Sequence, residues 1–357
     1  MNWPALANSR GVPDPKGQLG QSASTVWETF KNVSEVYLPA GATPCPWGTV
    51  CELPGGITPP TLQQLQSAYG ATNSPWLHFL SQDSMIDGQQ IVDANASVIR
   101  YDVRCNQDHF NYVVGNPSGY ALYTLQGQEQ ALSDGGFAFA FPSAAVEVKA
   151  AWRVLGPSDD DSRYWTAYGA YLGANQTIVY AKIGLTAFHI TSNVAPGWVF
   201  MTYEQVDNPT ATFTYFLGKK GRAVGPNTTV NPGAAAFNQQ LRARALGTKW
   251  QYYNIIGWQT AETDSDGKPV ILANTNIETY FPKTSSCMSC HAMANIGPTS
   301  HVRLDMWSYA SGGIEGRVGT IDFAAIAKKM DPADTFKPMN SVWSLREAHT
   351  QAGPAAK

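Results

Sequence analysis

With 357 residues, 43% of them hydrophobic and only 14% charged, the chain is long enough for one large domain or two ordinary ones and apolar enough for a genuine core. A net charge of -3 and the lack of any Lys/Arg-rich run exclude a basic field for nucleic acid. No apolar stretch reaches transmembrane length, and the many Gly, Pro, Tyr and Trp residues favour strands and structured loops over long helices.

Residues up to about Gly20 lack periodicity and read as an extended arm. Thr25 and Glu28 have capping-box spacing, opening a short helix with Trp27 and Phe30 on one face. A Pro/Gly-rich loop follows over 38–60, in which Cys45 and Cys51 are placed to close a disulfide, leaving Cys105 over. Helices are predicted over 61–69 and 76–80.

From residue 97 the pattern has period two. Ile99, Tyr101 and Val103 alternate with Val98, Arg100 and Asp102, and after a predicted helix over 120–132 the segment 146–154 sets Val146, Val148, Ala150, Trp152 and Val154 against Glu147, Lys149, Ala151 and Arg153. Further strands are predicted over 163–172, 177–190, 198–204 and 211–217, separated by Gly, Asn and Pro turns. Short strands at this spacing point to an antiparallel sandwich or barrel. Beyond Pro232, helices are predicted over 234–245, 322–330 and 339–349. The expected fold class is therefore α+β: an arm, disulfide loop and short helices over 1–96, an antiparallel β-rich region over 97–230, and a mostly helical part over 231–357, either separate from the β region or continuous with it.

The chemistry lies in that last part. Cys287-Met288-Ser289-Cys290-His291 has the spacing at which two thiols three positions apart on a helical turn reach the vinyl groups of one haem while the next residue offers an imidazole to iron. No second CxxC or HxxxH accompanies it, as a zinc site would require. The residues before Cys287 read as a loop and not as the strand of a thioredoxin-like redox site. The implied cofactor is one covalently attached haem c held by Cys287, Cys290 and His291. Attachment of this kind takes place on the oxidising side of a membrane, so a periplasmic or otherwise exported protein is expected, its leader absent from this sequence.

What lies across the ring from His291 decides the chemistry. Met330 and Met339 follow at separations like that of the ligand methionine of small cytochromes, and His189 sits in an apolar strand, whereas His78, His109, His301 and His349 have more polar surroundings. Glu147, Lys149 and Arg153 on one strand face, with Glu204 and Asp207, form either an acid–base set facing the haem or a solvated face with cross-strand ion pairs.

CMSCH resembles the attachment site of c-type cytochromes. Together, EVKAAWRVL, GLTAFHI, TYEQVDN and NTNIETYFPKTSSCMSCH resemble a family of exported bacterial single-haem cytochrome c proteins with a large β-rich N-terminal region, over about 97–357. The resemblance implies the fold and the cofactor more than a reaction. Three roles are expected: electron transfer or service as a redox partner, with the iron saturated by two protein ligands; a haem enzyme, peroxidase- or oxygenase-like, acting on a small apolar or aromatic substrate at an open iron, with His189 or Glu147 as the catalytic acid–base group; or a sensor or binding module for a diatomic gas. The partner is accordingly a redox protein or a small molecule.

Overall fold

A computed structural model describes residues 10–12, 25–49, 59–81, 90–173, 175–213, 215–216, 219–220, 224–225, 230–279, 285–297 and 336–349. In chain order its elements are β1 (Lys31–Asn32), α1 (Leu62–Tyr69), β2 (Leu77–Phe79), β3 (Ile91–Asp93), β4 (Arg100–Cys105), α2 (Gln107–Val113), α3 (Leu125–Ser133), β5 (Val146–Val154), β6 (Thr166–Leu172), β7 (Ile178–Ser192), β8 (Val199–Gln205), β9 (Ala211–Phe213), β10 (Tyr215–Phe216), β11 (Lys219–Lys220), α4 (Pro232–Ala245), β12 (Tyr253–Gln259), α5 (Cys287–Ala292), β13 (Asn295–Ile296) and β14 (Lys337–Pro338).

The main sheet runs β1-β4-β5-β7-β6-β2, with β8 and β12 branching from β7. The branch follows from length. β7 has 15 residues, and its first half pairs with β6 while its second half pairs with β8. Every pairing in this sheet is antiparallel except β2 with β6. Ser81, just past β2, exchanges both backbone hydrogen bonds with Tyr101 of β4 at 2.9 Å, so the path from β4 through β5, β7, β6 and β2 nearly closes on itself as a barrel.

Period-two alternation divides the side chains between two faces. The inner face carries Val148, Ala150, Trp152, Ala167, Ile183, Leu185 and Phe188, packed with Trp27, Trp165, Trp250 and Tyr253 into one aromatic-rich core. Gly169 leaves room in this interior: a Cβ there would come within 2.8 Å of Ile183 Cγ2. The outer face carries Tyr101, Glu147, Lys149 and His189, and chain beyond β12 covers it.

The expectation of an α+β fold ending in a mostly helical haem-bearing part is overturned. The molecule is β-rich, and its C-terminal described residues put β12 into the main sheet and β13 and β14 into a small antiparallel pair. Only α4 and the six-residue α5 are α-helical there. The helix predicted over 339–349 fails because Asn340 and Ser341 sit at φ 51° and 62°, a left-handed turn that an α-helix cannot pass through; only a 3-10 turn, Trp343–Glu347, follows it. The helix predicted over 322–330 lies outside the described residues. The helix predicted over 76–80 is instead β2, because pairing with β6 and burial of Leu77 outweigh local propensity. All three stretches of the expected organisation contribute strands to the main sheet, through β1 and β2, through β4 to β8, and through β12.

Candidate haem-attachment site

The helix that carries both cysteines, α5, is positioned by β12. Gln259, the last residue of β12, donates from Nε2 to Ser286 Oγ at 2.8 Å and accepts on Oε1 from Met288 N at 3.0 Å. Ser286 in turn caps α5, its Oγ accepting from Ser289 N at 3.3 Å. Two of the orphan amides of the first turn are thereby satisfied, which fixes where Cys287 and Cys290 stand. Neither cysteine is in a disulfide. Cys287 is buried, and burial pushes its thiol well above the usual range, with Glu278 and Cys290 adding to the shift.

His291 occupies the second turn. Its Nδ1 lies 2.8 Å from the Ser341 carbonyl oxygen. A carbonyl can only accept, so Nδ1 carries the proton. Burial and the nearby Lys149 charge hold the ring's pKa down to about 4, against the pull of the Ser341 carbonyl, so at neutral pH the imidazole is neutral and Nε2 presents its lone pair. This is the ligating tautomer, oriented from behind as metal-bound histidines usually are. Trp343 closes the same corner by donating from Nε1 to the Cys290 carbonyl at 3.1 Å, and Phe200 of β8 lies 4.7 Å from the His291 ring, centroid to centroid. Strained backbone gathers here too: Trp198, at φ 69°, donates from Nε1 to Asn340 Oδ1 at 3.3 Å, beside the Asn340-Ser341 turn.

The outer sheet face meets this corner. Lys149 of β5 stands opposite His189 of β7, and His189 opposite Thr202 of β8. The covering segment 272–279 is buried almost throughout and is tied down by polar contacts: Asn274 Nδ2 donates to Thr202 Oγ1 at 3.1 Å and to the Tyr203 carbonyl at 2.8 Å, and the Tyr101 hydroxyl donates to the Asn276 carbonyl at 2.6 Å. Glu278 Oε2 accepts from Asn274 N at 2.7 Å and lies 3.7 Å from His189 Nε2, beyond hydrogen-bond reach. Burial raises the Glu278 carboxyl and lowers the Lys149 ammonium, each partly restored by the other's charge. His189 is held well below its usual range by burial and then by the charges of Lys149 and His291. Its Nε2 is buried without a hydrogen-bond partner among the described residues.

Among the candidates named from sequence, the structure thus brings His189, Lys149 and Glu204 to the side of the sheet that meets Cys290 and His291. Met339 is fully buried in the cluster that also holds Cys287. It lies two residues from Ser341, whose carbonyl holds Nδ1. Met330 and His301 lie outside the described residues. His109 is buried against Glu147, His349 is exposed, and His78 belongs to the barrel interior. Arg153 leaves the set for ion pairs with Asp93 and Asp159 at 2.8 and 2.9 Å, and Asp207 pairs with Arg163 at the surface. Around Lys149 and Glu204 this face is covered by segment 272–279, whereas Glu147 lies against His109 and is 11% exposed. Cys45 is engaged in a disulfide, whereas Cys51 lies outside the described residues.

The groups sequence reasoning missed are Gln259, Ser286, Ser341, Trp343 and Glu278. Only the Asn340-Ser341 pair, a turn signal inside a predicted helix, could have pointed to one of them.

These residues fit a covalently held haem. Two thiols three positions apart on one helical turn, an imidazole with its far nitrogen committed and its near one bare, and a second buried imidazole with an unpartnered Nε2 make a donor set for a ring that brings its own four nitrogens. Among the described residues no three or more His, Cys, Asp or Glu side chains converge on a bare-metal position. No helix among them is long and apolar enough to cross a membrane. No protein-family model matches the chain, and neither a curated protein nor a solved structure is similar to it.

Proposed function

We propose that the chain is an exported single-haem c-type cytochrome that acts in electron transfer or as a redox partner, with Cys287 and Cys290 as thioether anchors and His291 and His189 as the two axial ligands. The observation that carries this reading is the His291 imidazole, fixed on Nδ1 by Ser341 and bare on Nε2, on the same two turns as both thiols. Bound there, the haem supplies a one-electron couple. The chain's own residues supply orientation and exclusion. Gln259 and Ser286 place the anchors, Ser341 fixes the ring, and segment 272–279 with Phe200 keeps bulk water from the outer sheet face. His189 is preferred as the second ligand because its buried Nε2 makes no hydrogen bond among the described residues and its ring lies near that of His291.

Protein made with a haem-attachment system should carry one haem mass on the peptide spanning Cys287 and Cys290. Its ferrous form should be low-spin and resist carbon monoxide near neutral pH. Haem removed by acidified organic solvent would refute the thioether claim. A high-spin ferrous form that takes up carbon monoxide at once would refute saturation of the iron.

One observation favours a second reading, a haem enzyme with an open iron site. Glu278 and Lys149, both displaced by burial toward neutrality, lie beside His189 and could hold or pass a proton there. In that case His189→Ala abolishes turnover while haem content and spin state are kept.

A further inference from the structure

Along β5 from Lys149, on the same outer face, lies a second polar chamber that haem attachment does not use. Its walls come from four parts of the chain: Glu147 of β5, His109 of α2, Tyr37, and Ser344 in the turn after β14. Glu147 Oε2, His109 Nδ1, the Tyr37 hydroxyl and Ser344 Oγ are all buried; His109 Nδ1 has no partner among the described residues, and the one Ser344 hydroxyl is shared between the Glu147 carboxyl and the Tyr37 phenol without ideal geometry to either. They are neighbours. His109 Nε2 is 3.8 Å from Glu147 Oε2, and the Ser344 hydroxyl lies beside both the Glu147 carboxyl and the Tyr37 phenol.

Leaving one buried polar group unsatisfied costs about 1–3 kcal/mol. One hydroxyl cannot meet the needs of the Glu147 carboxyl, the Tyr37 phenol and the His109 ring together, and small polar guests that make two to four hydrogen bonds each, namely water, meet the rest. The Glu147 side chain is 11% exposed, so the chamber also reaches its outer edge. At its inner edge stands Lys149, whose charge acts on Glu147 on one side and on Cys290 and His291 on the other.

We propose that Glu147 is the proton-exchange group of a hydrated chamber and takes up one proton when the haem is reduced, releasing it when the haem is oxidised. The balance is simple. One electron from a one-electron redox partner reduces ferric to ferrous haem, one proton from water converts the Glu147 carboxylate to the carboxylic acid, and the net charge of the interior is unchanged. No bond to iron forms or breaks. The proposal rests on the haem reading above.

The surroundings of Glu147 agree. Burial pushes its carboxyl up to about 7, Ser344 and Lys149 pulling it part of the way back and Glu347 pushing it up. The Cys105 thiol faces it directly from β4 and is itself raised by burial, Thr191 faces it from β7, and Arg10, Lys31 and Glu35 lie beyond Cys105. His109, held down to about 3 by burial, stays neutral beside it and adds no charge of its own.

The test is the midpoint potential of the haem-bearing protein against pH, with redox-difference infrared spectra in water and heavy water. The wild-type midpoint should fall with rising pH around neutrality, toward about 59 mV per pH unit for one proton per electron. A protonated-carboxyl band should appear on reduction. Glu147→Gln should flatten the slope and remove the band, and Ser344→Ala, which takes away a group favouring the carboxylate, should move the sloping range to higher pH. A pH-independent wild-type midpoint overturns the proposal, as does a slope or band retained in Glu147→Gln, which would assign the proton to a haem propionate. If Glu147→Gln does not fold, an unmoved range in Ser344→Ala overturns it. Protein without covalent haem overturns both this proposal and the reading beneath it, whereas haem-bearing protein with a flat profile overturns this proposal alone.

Discussion

Two histidines on opposite sides of the main sheet, His78 inside the barrel and His291 beyond the outer face, differ in what flanks their ring nitrogens: carboxylates for the first, a backbone carbonyl for the second. His78, inside the barrel, is flanked by carboxylates: Nδ1 bonds Asp102 Oδ2 at 2.6 Å and Nε2 lies 3.3 Å from Glu28 Oε1. Around it Arg104 donates to Asp102 at 2.7 Å and to the Glu28 carbonyl at 2.7 Å, Asn32 donates to Asp102 at 2.5 Å, and Trp165 donates to Glu28 at 3.2 Å. The ring packs 4.7 Å from Trp152. Its Nδ1 is committed to Asp102, while its Nε2 stands at ion-pair distance from Glu28 without forming a hydrogen bond among the described residues. His291, beyond the outer face, spends one nitrogen on a carbonyl and keeps the other, and His189 keeps an unpartnered Nε2. Burial alone does not distinguish a structural histidine from an available one.

The largest expected effect falls on the structural side. His78→Ala leaves two buried carboxylates short of a partner and is expected to cost about 3–5 kcal/mol in chemical denaturation. A loss below about 1 kcal/mol would mean that the network does not hold the barrel closed. By contrast His189→Ala removes a ring with little hydrogen bonding to lose. It is expected to change the haem from low-spin to high-spin while leaving the denaturation midpoint close to that of the wild type. An unchanged spin state would remove His189 from the ligand set and weaken the contrast between the two faces.

Titration should separate the faces as well. In the folded protein Asp102 and Glu28 are lowered from 3.8 and 4.5, although burial, the largest influence on each, works the other way: Arg104 and then His78 lower Asp102, and His78 and the Thr25 backbone lower Glu28. A depressed carboxyl contributes stability above its unfolded pKa and loses it as pH falls through the folded value. The barrel side should therefore weaken only below about pH 4.5. Glu147 has the opposite sign. Raised to about 7, it stabilises the folded state most fully below its unfolded value and loses that contribution as pH rises through about 7. Glu147→Gln is thus expected to gain stability relative to wild type between pH 5 and pH 8, and Asp102→Asn to lose its disadvantage only in acid. Parallel denaturation series at those pH values check both signs.

Much of the outer face was legible in the sequence, and the reason the rest was not is specific. The alternation over 146–154 correctly put Glu147, Lys149 and Arg153 on one face, because strand period is a local property. Nothing local says what covers that face. The segment 272–279, rich in Asn and Thr, gave no periodic signal, and its role depends on pairing Asn274 with Thr202 and Tyr203 about seventy residues away. The expected C-terminal helix failed for a related reason. Its composition suits a helix, but the Asn340-Ser341 turn is fixed by partners distant in sequence, Phe141, Trp198 and His291. The motif CMSCH, by contrast, needs only five residues to be read, and the structure adds to it the Gln259 and Ser286 contacts that no spacing rule announces.

The smallest effect expected probes that turn. Asn340 is at φ 51°, and its Oδ1 accepts from Phe141 N at 3.1 Å and from Trp198 Nε1 at 3.3 Å. Asn340→Gly keeps the left-handed backbone without strain and loses only the two hydrogen bonds, a cost of about 1–2 kcal/mol. Asn340→Ala loses the same bonds and must also hold a Cβ in the left-handed region, which adds about 1 kcal/mol. The two variants should therefore fall in the order wild type, Gly, Ala in denaturation. Because the next carbonyl in the chain, that of Ser341, fixes the His291 tautomer, both should also broaden the low-spin ferric spectrum as that ring loosens. An Ala variant at least as stable as the Gly variant would show that the turn is not held left-handed, and an unaltered spectrum in both would show that His291 is fixed by something other than Ser341.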